Sequence, residues 1–202
     1  CGADGNENPA MQDVNVRKAI ALAIDQNALA ELYKGAATAQ TSGVPISDPD
    51  NSGDGLGYDP ERAKALLDEA GWDWDYTLRI LYYNKDDTTK NLIQAVIYYL
   101  ESIGMKVEST LSEDGTTDLF TTRNYDMGFK GTGPLDVYYS EFASTSETFK
   151  NIYGGDTDFD APIAALMSAS KPEDVTAAKQ ALQKARLADV PLTFHGPFVD
   201  CE

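Results

Sequence analysis

The chain has 202 residues, the size of one substantial domain, and we expect residues 1–202 to form a single domain. Its formal net charge is −17, which argues against nucleic-acid binding because phosphate contacts need clustered Lys and Arg. Hydrophobic residues make up 42% of the chain, enough for an ordinary core, and no apolar run approaches the length of a membrane span. These features suit a secreted or cell-surface protein.

The first third of the chain is predicted to be helical. Residues 14–24 carry apolar side chains along one side, and Asp25 is placed to cap a second helix that reaches Tyr33. Asp59 and Pro60 open a third helix, as an N-cap and a first-turn proline. Between them, residues 36–57 contain prolines, glycines and acids without periodicity. Such a long loop is usually functional or lies across another surface.

A strand, a helix and a second strand are predicted next. Residues 76–83 are rich in aromatic and branched side chains, and residues 92–103 repeat apolar side chains at helical spacing. Gly104 is placed to end the helix, and residues 105–111 then alternate strictly. Strand, helix and strand in this order predict a parallel pair with a right-handed crossover.

The remaining elements complete an α/β fold. Asp114 is expected to cap a short helix that runs to Arg123 with Leu119 and Phe120 inward, and residues 127–130 form a third strand. Helices are predicted at 138–143, 159–169 and 173–188, before a last strand at 192–199. The fold class is therefore α/β, with a small mixed, partly parallel sheet and helices packed on it.

Two cysteines, Cys1 and Cys201, lie at opposite ends of the chain. A disulfide between them would join the termini, as happens where a domain leaves and rejoins a larger body. Alternatively, Cys1 is the lipid-bearing first residue of a mature lipoprotein, or the two thiols are unrelated. The first two alternatives place the protein outside the cytosol.

Four segments together resemble one protein family. In chain order they read NPAMQDVNVRKAI (8–20), YDPERAKALLDEAGW (58–72), LESIGMKV (100–107) and YDM (125–127). They are similar to the C-terminal lobe of the family 5 extracellular solute-binding proteins of ABC transporters, the oligopeptide, dipeptide and nickel type. The resemblance implies one lobe of a periplasmic-binding-protein-like type II fold, with the other lobe absent from this chain.

The resemblance also implies a function. The chain would bind a small solute, foremost an oligopeptide, in a cleft shared with the missing lobe, and deliver it to the membrane permease of an ABC importer. It would be a monomer and not an enzyme, extracellular or periplasmic, and tethered to the cell surface in the full-length protein. The alternative is a cell-surface protein-interaction or signalling module built on the same lobe.

Five residues are candidates for ligand binding. In the resembled family the loop after the third strand carries a Trp and then an Asp that receives a peptide's amino group; here Asp136 is one residue from that place, and Thr132 occupies the Trp position. Arg123 would meet a ligand carboxylate, Tyr138 would form a flat wall, and Asn84 follows a strand at its carboxyl end. The alternatives are a solvated loop acid for Asp136, a helix-end arginine for Arg123 and packing between helices for Tyr138.

The sequence indicates no catalytic, metal or cofactor site. Asp48 and the acids that follow imitate the spacing of a calcium loop, but Asp59 would replace the usual bidentate Glu and is already needed as a helix cap, so an acidic solvent loop is favoured. The single histidine, His195, has no Gly-x-Ser-x-Gly elbow or activated cysteine beside it. No glycine-rich phosphate loop accompanies them.

Overall fold

The computed structural model describes residues 8–35, 37–39, 42–131, 135, 138–147, 158–190 and 194–195. The chain divides into two compact units: the first unit comprises 1–39, 56–131 and 192–202, and the second comprises 40–55 and 132–191. Among the helices of the described ranges, none is long and apolar enough to cross a membrane.

The first unit is organised around a four-stranded parallel sheet. Its strands are β1 (Thr77–Tyr82), β2 (Lys106–Leu111), β3 (Met127–Lys130) and β4 (Phe194–His195), in the spatial order β2-β1-β3-β4. Each of the three pairings is parallel. The α/β class and the parallel pairing of the first two strands are confirmed. Of the last strand predicted at 192–199, the described residues contain two.

Three of the four helices of the first unit begin where the sequence predicts, whereas the fourth begins five residues before the predicted segment 92–103. The four helices are α1 (Val14–Leu22), α2 (Gln26–Glu31), α3 (Pro60–Glu69) and α4 (Asp87–Ser102). The Asp25 carboxylate accepts hydrogen bonds from the backbone N–H groups of Asn27 and Ala28, and Asp59 caps α3 in the same way through Arg62. Gly104 follows α4 with φ +102°, a conformation that glycine adopts without strain.

The main core lies between one face of the sheet and these helices. Leu78 and Ile80 of β1 pack there with the buried stripe of α4, as the helical spacing predicts. On the opposite face, Leu81 forms a small separate cluster with Leu119 and Tyr125. The sheet is therefore covered on both faces near β1, as expected for parallel strands.

The predicted helix from Asp114 to Arg123 is wrong in detail. Asp114 does cap a helix, but this is the short α5 (Gly115–Thr117), and a π-helical turn continues it through Asp118–Thr122. Leu119 is buried as expected, whereas Phe120 is 37% exposed. Successive residues on a helical turn point about 100° apart, so the two side chains cannot share the inward position that Leu119 takes.

A buried carboxylate joins the amino ends of β1 and β3. Asp126 is fully buried, and its oxygens accept from the Arg79 guanidinium at 2.8 and 3.2 Å and from the Arg79 backbone N–H at 2.9 Å. The Tyr76 hydroxyl also donates to it, at 2.8 and 3.0 Å. Burial, followed by this carboxylate, raises the pKa of Tyr76 to about 12, which keeps the phenol a donor. The carboxylate is thus saturated by groups at the beginning of the sheet.

The second unit consists of a π-helical turn, Tyr138–Phe142, and the helices α6 (Asp160–Ser168) and α7 (Pro172–Asp189). Its core contains Phe142, Phe159 and Leu182. All three predicted helical segments are present, although the first is a π turn.

Residues 42–52 of the long loop lie along α7, which agrees with the second of the two alternatives stated for it, a loop that lies across another surface. The buried Gln183 carboxamide accepts from the Ser42 hydroxyl and the Ser52 backbone N–H, and donates to the Asp50 carbonyl. The Lys179 ammonium contacts the carboxylates of Asp48 at 2.7 Å and Asp50 at 3.1 Å. These contacts, here called the loop clamp, fix residues 42–55 on the helix.

We expect Asp126→Asn to lower the free energy of unfolding by about 3 kcal/mol, because it leaves the Arg79 charge without its buried partner. Urea denaturation measures the change. Asp75→Asn is the matched control: its carboxylate is 94% exposed and pairs with Lys106 at 2.7 Å, so the expected loss is much smaller, because exposed ion pairs contribute little to stability. Similar small losses in both variants would contradict the role of Asp126.

We expect Lys179→Met to open the loop clamp, so that thermolysin cuts near Ile46 roughly tenfold faster at neutral pH. Lys184→Met, which removes an exposed lysine of the same helix, is the control and should leave the cleavage rate unchanged. Equal rates in the two variants would show that Lys179 does not hold the loop.

The stability of the loop clamp also depends on pH. Hydrogen bonds from Thr176 and then Lys179 lower the pKa of Asp50, so its contribution is present above the ordinary carboxyl value of about 3.9 and is lost as pH falls through the lowered value. The Asp48 hydrogen bond raises the pKa of Lys179, so its contribution is lost only as pH rises above about 10.4. We therefore expect loop cleavage to be slow between these limits and to accelerate below about pH 4, measured with an acid-active protease.

Candidate functional site

The strand order places a topological switch point between β1 and β3. From β1 the chain crosses through α4 to β2 on one side, and β3 pairs with β1 on the other side. In open parallel sheets, ligands bind outside the carboxyl ends of the strands at such a point. The candidate site of the first unit is therefore the edge where β1 ends at Tyr82 and β3 ends at Lys130.

Asn84 lies at this edge, two residues after β1. Its side chain is partly buried, and the carboxamide oxygen Oδ1 is buried without a hydrogen-bond partner in the part of the chain that the structure describes. A buried acceptor without a hydrogen-bond partner lowers the folding stability by about 1–3 kcal/mol. A ligand that brings an N–H or O–H donor to this atom would recover that free energy.

The loop that carries Asn84 is held by its neighbours. The Ser112 backbone N–H donates to the Tyr82 carbonyl at 2.7 Å, and Lys85 forms an ion pair with Glu113. Gly115 lies so close to Tyr83 that a Cβ there would come within 2.7 Å of the Tyr83 Cβ. These contacts join the loops that follow β1 and β2, so Asn84 is presented by a fixed support.

Two carboxylates at the same edge already serve the fold. Asp86 accepts from the backbone N–H and the hydroxyl of Thr89, and these bonds lower the pKa of Asp86. Asp114 caps α5 through the hydroxyl and backbone N–H of Thr117, which lower its pKa in the same way. Their ionised form is thus engaged in helix capping.

A cation and an aromatic ring at the end of β3 were missed from the sequence. The Lys130 ammonium lies 5.8 Å from the centre of the Phe120 ring, which is partly exposed. Strand alternation alone could have assigned Lys130 to the face opposite the core. The position of Phe120 could not have been found, because it depends on the π turn.

The other sequence candidates fall in different places. Arg123 ends the π turn with φ +48°, and its backbone N–H donates to the Asp118 carbonyl at 2.9 Å. The role of its side chain toward a ligand stays a prediction. Asp136, Thr132, Cys1 and Cys201 lie outside the described residues, so their roles and the disulfide also stay predictions.

Tyr138 belongs to the second unit and is fully buried. Its ring meets Phe142 edge-on at 5.9 Å, and its hydroxyl oxygen accepts from the Gly43 backbone N–H at 3.3 Å. This is the packing alternative stated for Tyr138, so Asn84 is the sequence candidate that the structure places most clearly at the carboxyl edge.

Within the described ranges, no group of three or more His, Cys, Asp or Glu side chains is arranged to hold a metal ion. The acids that imitate a calcium loop have another cation: the Lys179 ammonium contacts both Asp48 and Asp50. The loop clamp thus gives Asp48 and Asp50 a role in holding the loop on α7.

Comparisons with known proteins agree on one family. The sequence model described as "Bacterial extracellular solute-binding proteins, family 5 Middle" matches residues 5–150. A putative ABC transporter peptide-binding protein of Brucella ovis is 31% identical over 106 residues, which are 50% of this chain and 20% of that protein.

Solved structures share the fold at low identity. A NikA from Staphylococcus aureus, solved with Ni(L-His)2, superposes with a TM-score of 0.77 at 19% identity, over 91% of this chain and 41% of that one. An oligopeptide-binding protein of Thermotoga maritima, solved with mannohexaose, gives 0.76 at 19% identity, over 94% and 42%. This chain therefore spans well under half the length of these relatives.

Proposed function

The chain belongs to the bacterial extracellular solute-binding proteins of family 5, and from that premise we propose that it binds the solute of an ABC importer at the carboxyl edge of its parallel sheet. The solute would be an oligopeptide. The chain would form one lobe and share the binding cleft with a second lobe, which would close on the ligand by hinge motion.

One observation carries this proposal: the buried Asn84 Oδ1, without a hydrogen-bond partner among the described residues, at the end of β1. The atom is an acceptor, and a peptide backbone supplies N–H donors along its whole length. Its place at the switch point is the one where parallel sheets bind ligands. A rigid support and an unsatisfied acceptor together favour recognition of a donor-bearing solute.

The ligand class rests on further support. The Brucella relative is described as peptide-binding, whereas the two solved relatives hold a nickel–histidine complex and a hexasaccharide. The fold thus accommodates several solutes, and the side chains of the loops decide among them. In this chain Asp136 would receive a peptide ammonium and Arg123 a carboxylate, with Thr132 leaving more space than a Trp would.

The remaining expectations follow from the same role. The protein would work outside the cytosol, extracellular or periplasmic and tethered to the cell surface, with the permease of the importer as its membrane partner. It would act as a monomer and not as an enzyme, and its charge would keep it from nucleic acid. Cys1 would carry a lipid or pair with Cys201. Family membership favours transport over the interaction or signalling module.

We expect the complete gene product to bind tri- to pentapeptides in titration calorimetry. Asn84→Ala should weaken that binding about tenfold, because it removes one acceptor worth about 1.4 kcal/mol. Asn91→Ala, an exposed asparagine of α4, is the control and should bind as the unaltered protein does.

The same calorimetric experiment is also run with mannohexaose and with a nickel–histidine complex as ligands. Binding of one of these with no response to peptides would overturn the peptide assignment and keep the transport role. Equal peptide affinity in Asn84→Ala and Asn91→Ala would remove Asn84 from the site. If the protein bound neither peptides nor mannohexaose nor the nickel–histidine complex, the result would count against the proposed function itself.

A further inference from the structure

Three tyrosines form an exposed aromatic surface on the first unit. Tyr98 and Tyr99 of α4 meet edge-on at 5.9 Å between ring centres, and Tyr58, before α3, meets Tyr99 at 5.6 Å. Tyr98 is 69% exposed and Tyr58 is 46% exposed. We call these three residues the tyrosine surface.

Tyr99 is half-buried and packs against the main core, whereas Tyr58 and Tyr98 are exposed without such packing. The inward stripe of α4 is already filled by Leu92, Val96 and Leu100, which are buried. Tyr58 is held from the other side, since the following backbone N–H of Asp59 donates to the Leu22 carbonyl at 2.9 Å. Tyr58 and Tyr98 therefore contact Tyr99 by their ring edges and are themselves exposed to solvent. Exposed tyrosines are enriched among the residues that anchor protein interfaces.

The charge around the rings selects the partner. Burial is the first cause that raises the pKa of Tyr99, and the negative charges of Asp25 and Glu31 add to it. Asp25 is held as the N-cap of α2 by the backbone N–H groups of Asn27 and Ala28, so the negative charge that acts on Tyr99 keeps its position. An anionic membrane, nucleic acid or a second copy of this chain, whose net charge is −17, would be repelled.

A cationic group fits both the exposed tyrosine rings and the negative charge near them. The face of a tyrosine ring attracts an ammonium or guanidinium, and a planar guanidinium also stacks on it. The carboxylates of Asp25 and Glu31 would offset the charge that the partner brings.

The surface is also remote from the candidate ligand site. Tyr98 is the twelfth residue of α4, and α4 begins just after the carboxyl end of β1. At 1.5 Å per residue, Tyr98 lies about 16 Å along the helix from that edge. A ligand at the carboxyl edge would leave the tyrosine surface free.

We propose that the tyrosine surface docks a protein segment that presents arginine or lysine side chains. This interaction is additional to solute binding and does not depend on it. The arginine or lysine would lie against the Tyr98 and Tyr58 rings, with the carboxylates of Asp25 and Glu31 at the rim.

The test uses the complete gene product and two capped hexapeptides, one alternating glycine with arginine and one alternating glycine with citrulline, which keeps the shape of arginine without its charge. Titration calorimetry at physiological salt measures binding. The arginine peptide should bind and the citrulline peptide should not. The Tyr58→Ala, Tyr98→Ala double variant should weaken binding about fivefold or more, and Tyr98→Lys should abolish it.

Two controls separate the surface from general charge attraction. Met167→Ala removes another exposed apolar side chain, 73% exposed, and Glu173→Gln removes an exposed acid of the second unit; both should bind the arginine peptide normally. Tyr98→Ala alone decides the question if the double variant does not fold, because the Tyr98 side chain is largely in solvent.

Unchanged affinity in Tyr98→Ala would overturn the proposal, since binding would then be electrostatic and diffuse. So would binding of the citrulline peptide with equal affinity. Sedimentation velocity tests whether a second copy of this chain binds the tyrosine surface instead. Self-association that Tyr98→Ala abolishes would identify a second copy as the partner and contradict a basic protein segment.

Discussion

The register between β1 and β3 depends on one buried carboxylate. Asp126 directly precedes β3, and its oxygens are saturated by the Arg79 backbone N–H, the Arg79 guanidinium and the Tyr76 hydroxyl. A buried charge of this kind is tolerated only when its partners are in place. Once they are, Ile80 lies opposite Met127, and the carboxyl ends of β1 and β3 are brought to the same edge. The candidate site is a consequence of that alignment.

The two ends of this sheet have different roles. The amino ends carry the saturated Asp126 network, which stabilises the fold, whereas the carboxyl ends carry Asn84, whose buried Oδ1 has no hydrogen-bond partner among the described residues, and Lys130 beside the Phe120 ring. Near them, Asp86 and Asp114 are engaged in capping. This division is what the switch-point rule predicts for an open parallel sheet. Family membership supports the transport role proposed for the site, and the loop side chains would determine its ligand.

Local signals in the sequence predicted much of the fold. The cap at Asp59, the stripe of α4 and the left-handed Gly104 each depend on a few neighbouring residues, and all three are found as predicted. What could not be predicted depends on distant contacts. Asp126 meets Arg79 across 47 residues, and Gln183 meets Ser42 across 141. The π turn after α5 was not predicted, because helical spacing does not distinguish it from an α-helix. The exposure of Phe120, which depends on that turn, was not predicted either.

We propose that a solute binds at the carboxyl edge of the parallel sheet. Hydrogen exchange of the complete gene product, measured with and without a peptide that stabilises it, tests this most directly. We expect slower exchange in residues 83–86 and in the segment that follows Lys130, with no change around Tyr98. Slower exchange confined to the amino ends of the strands, around Tyr76 and Asp126, would contradict it.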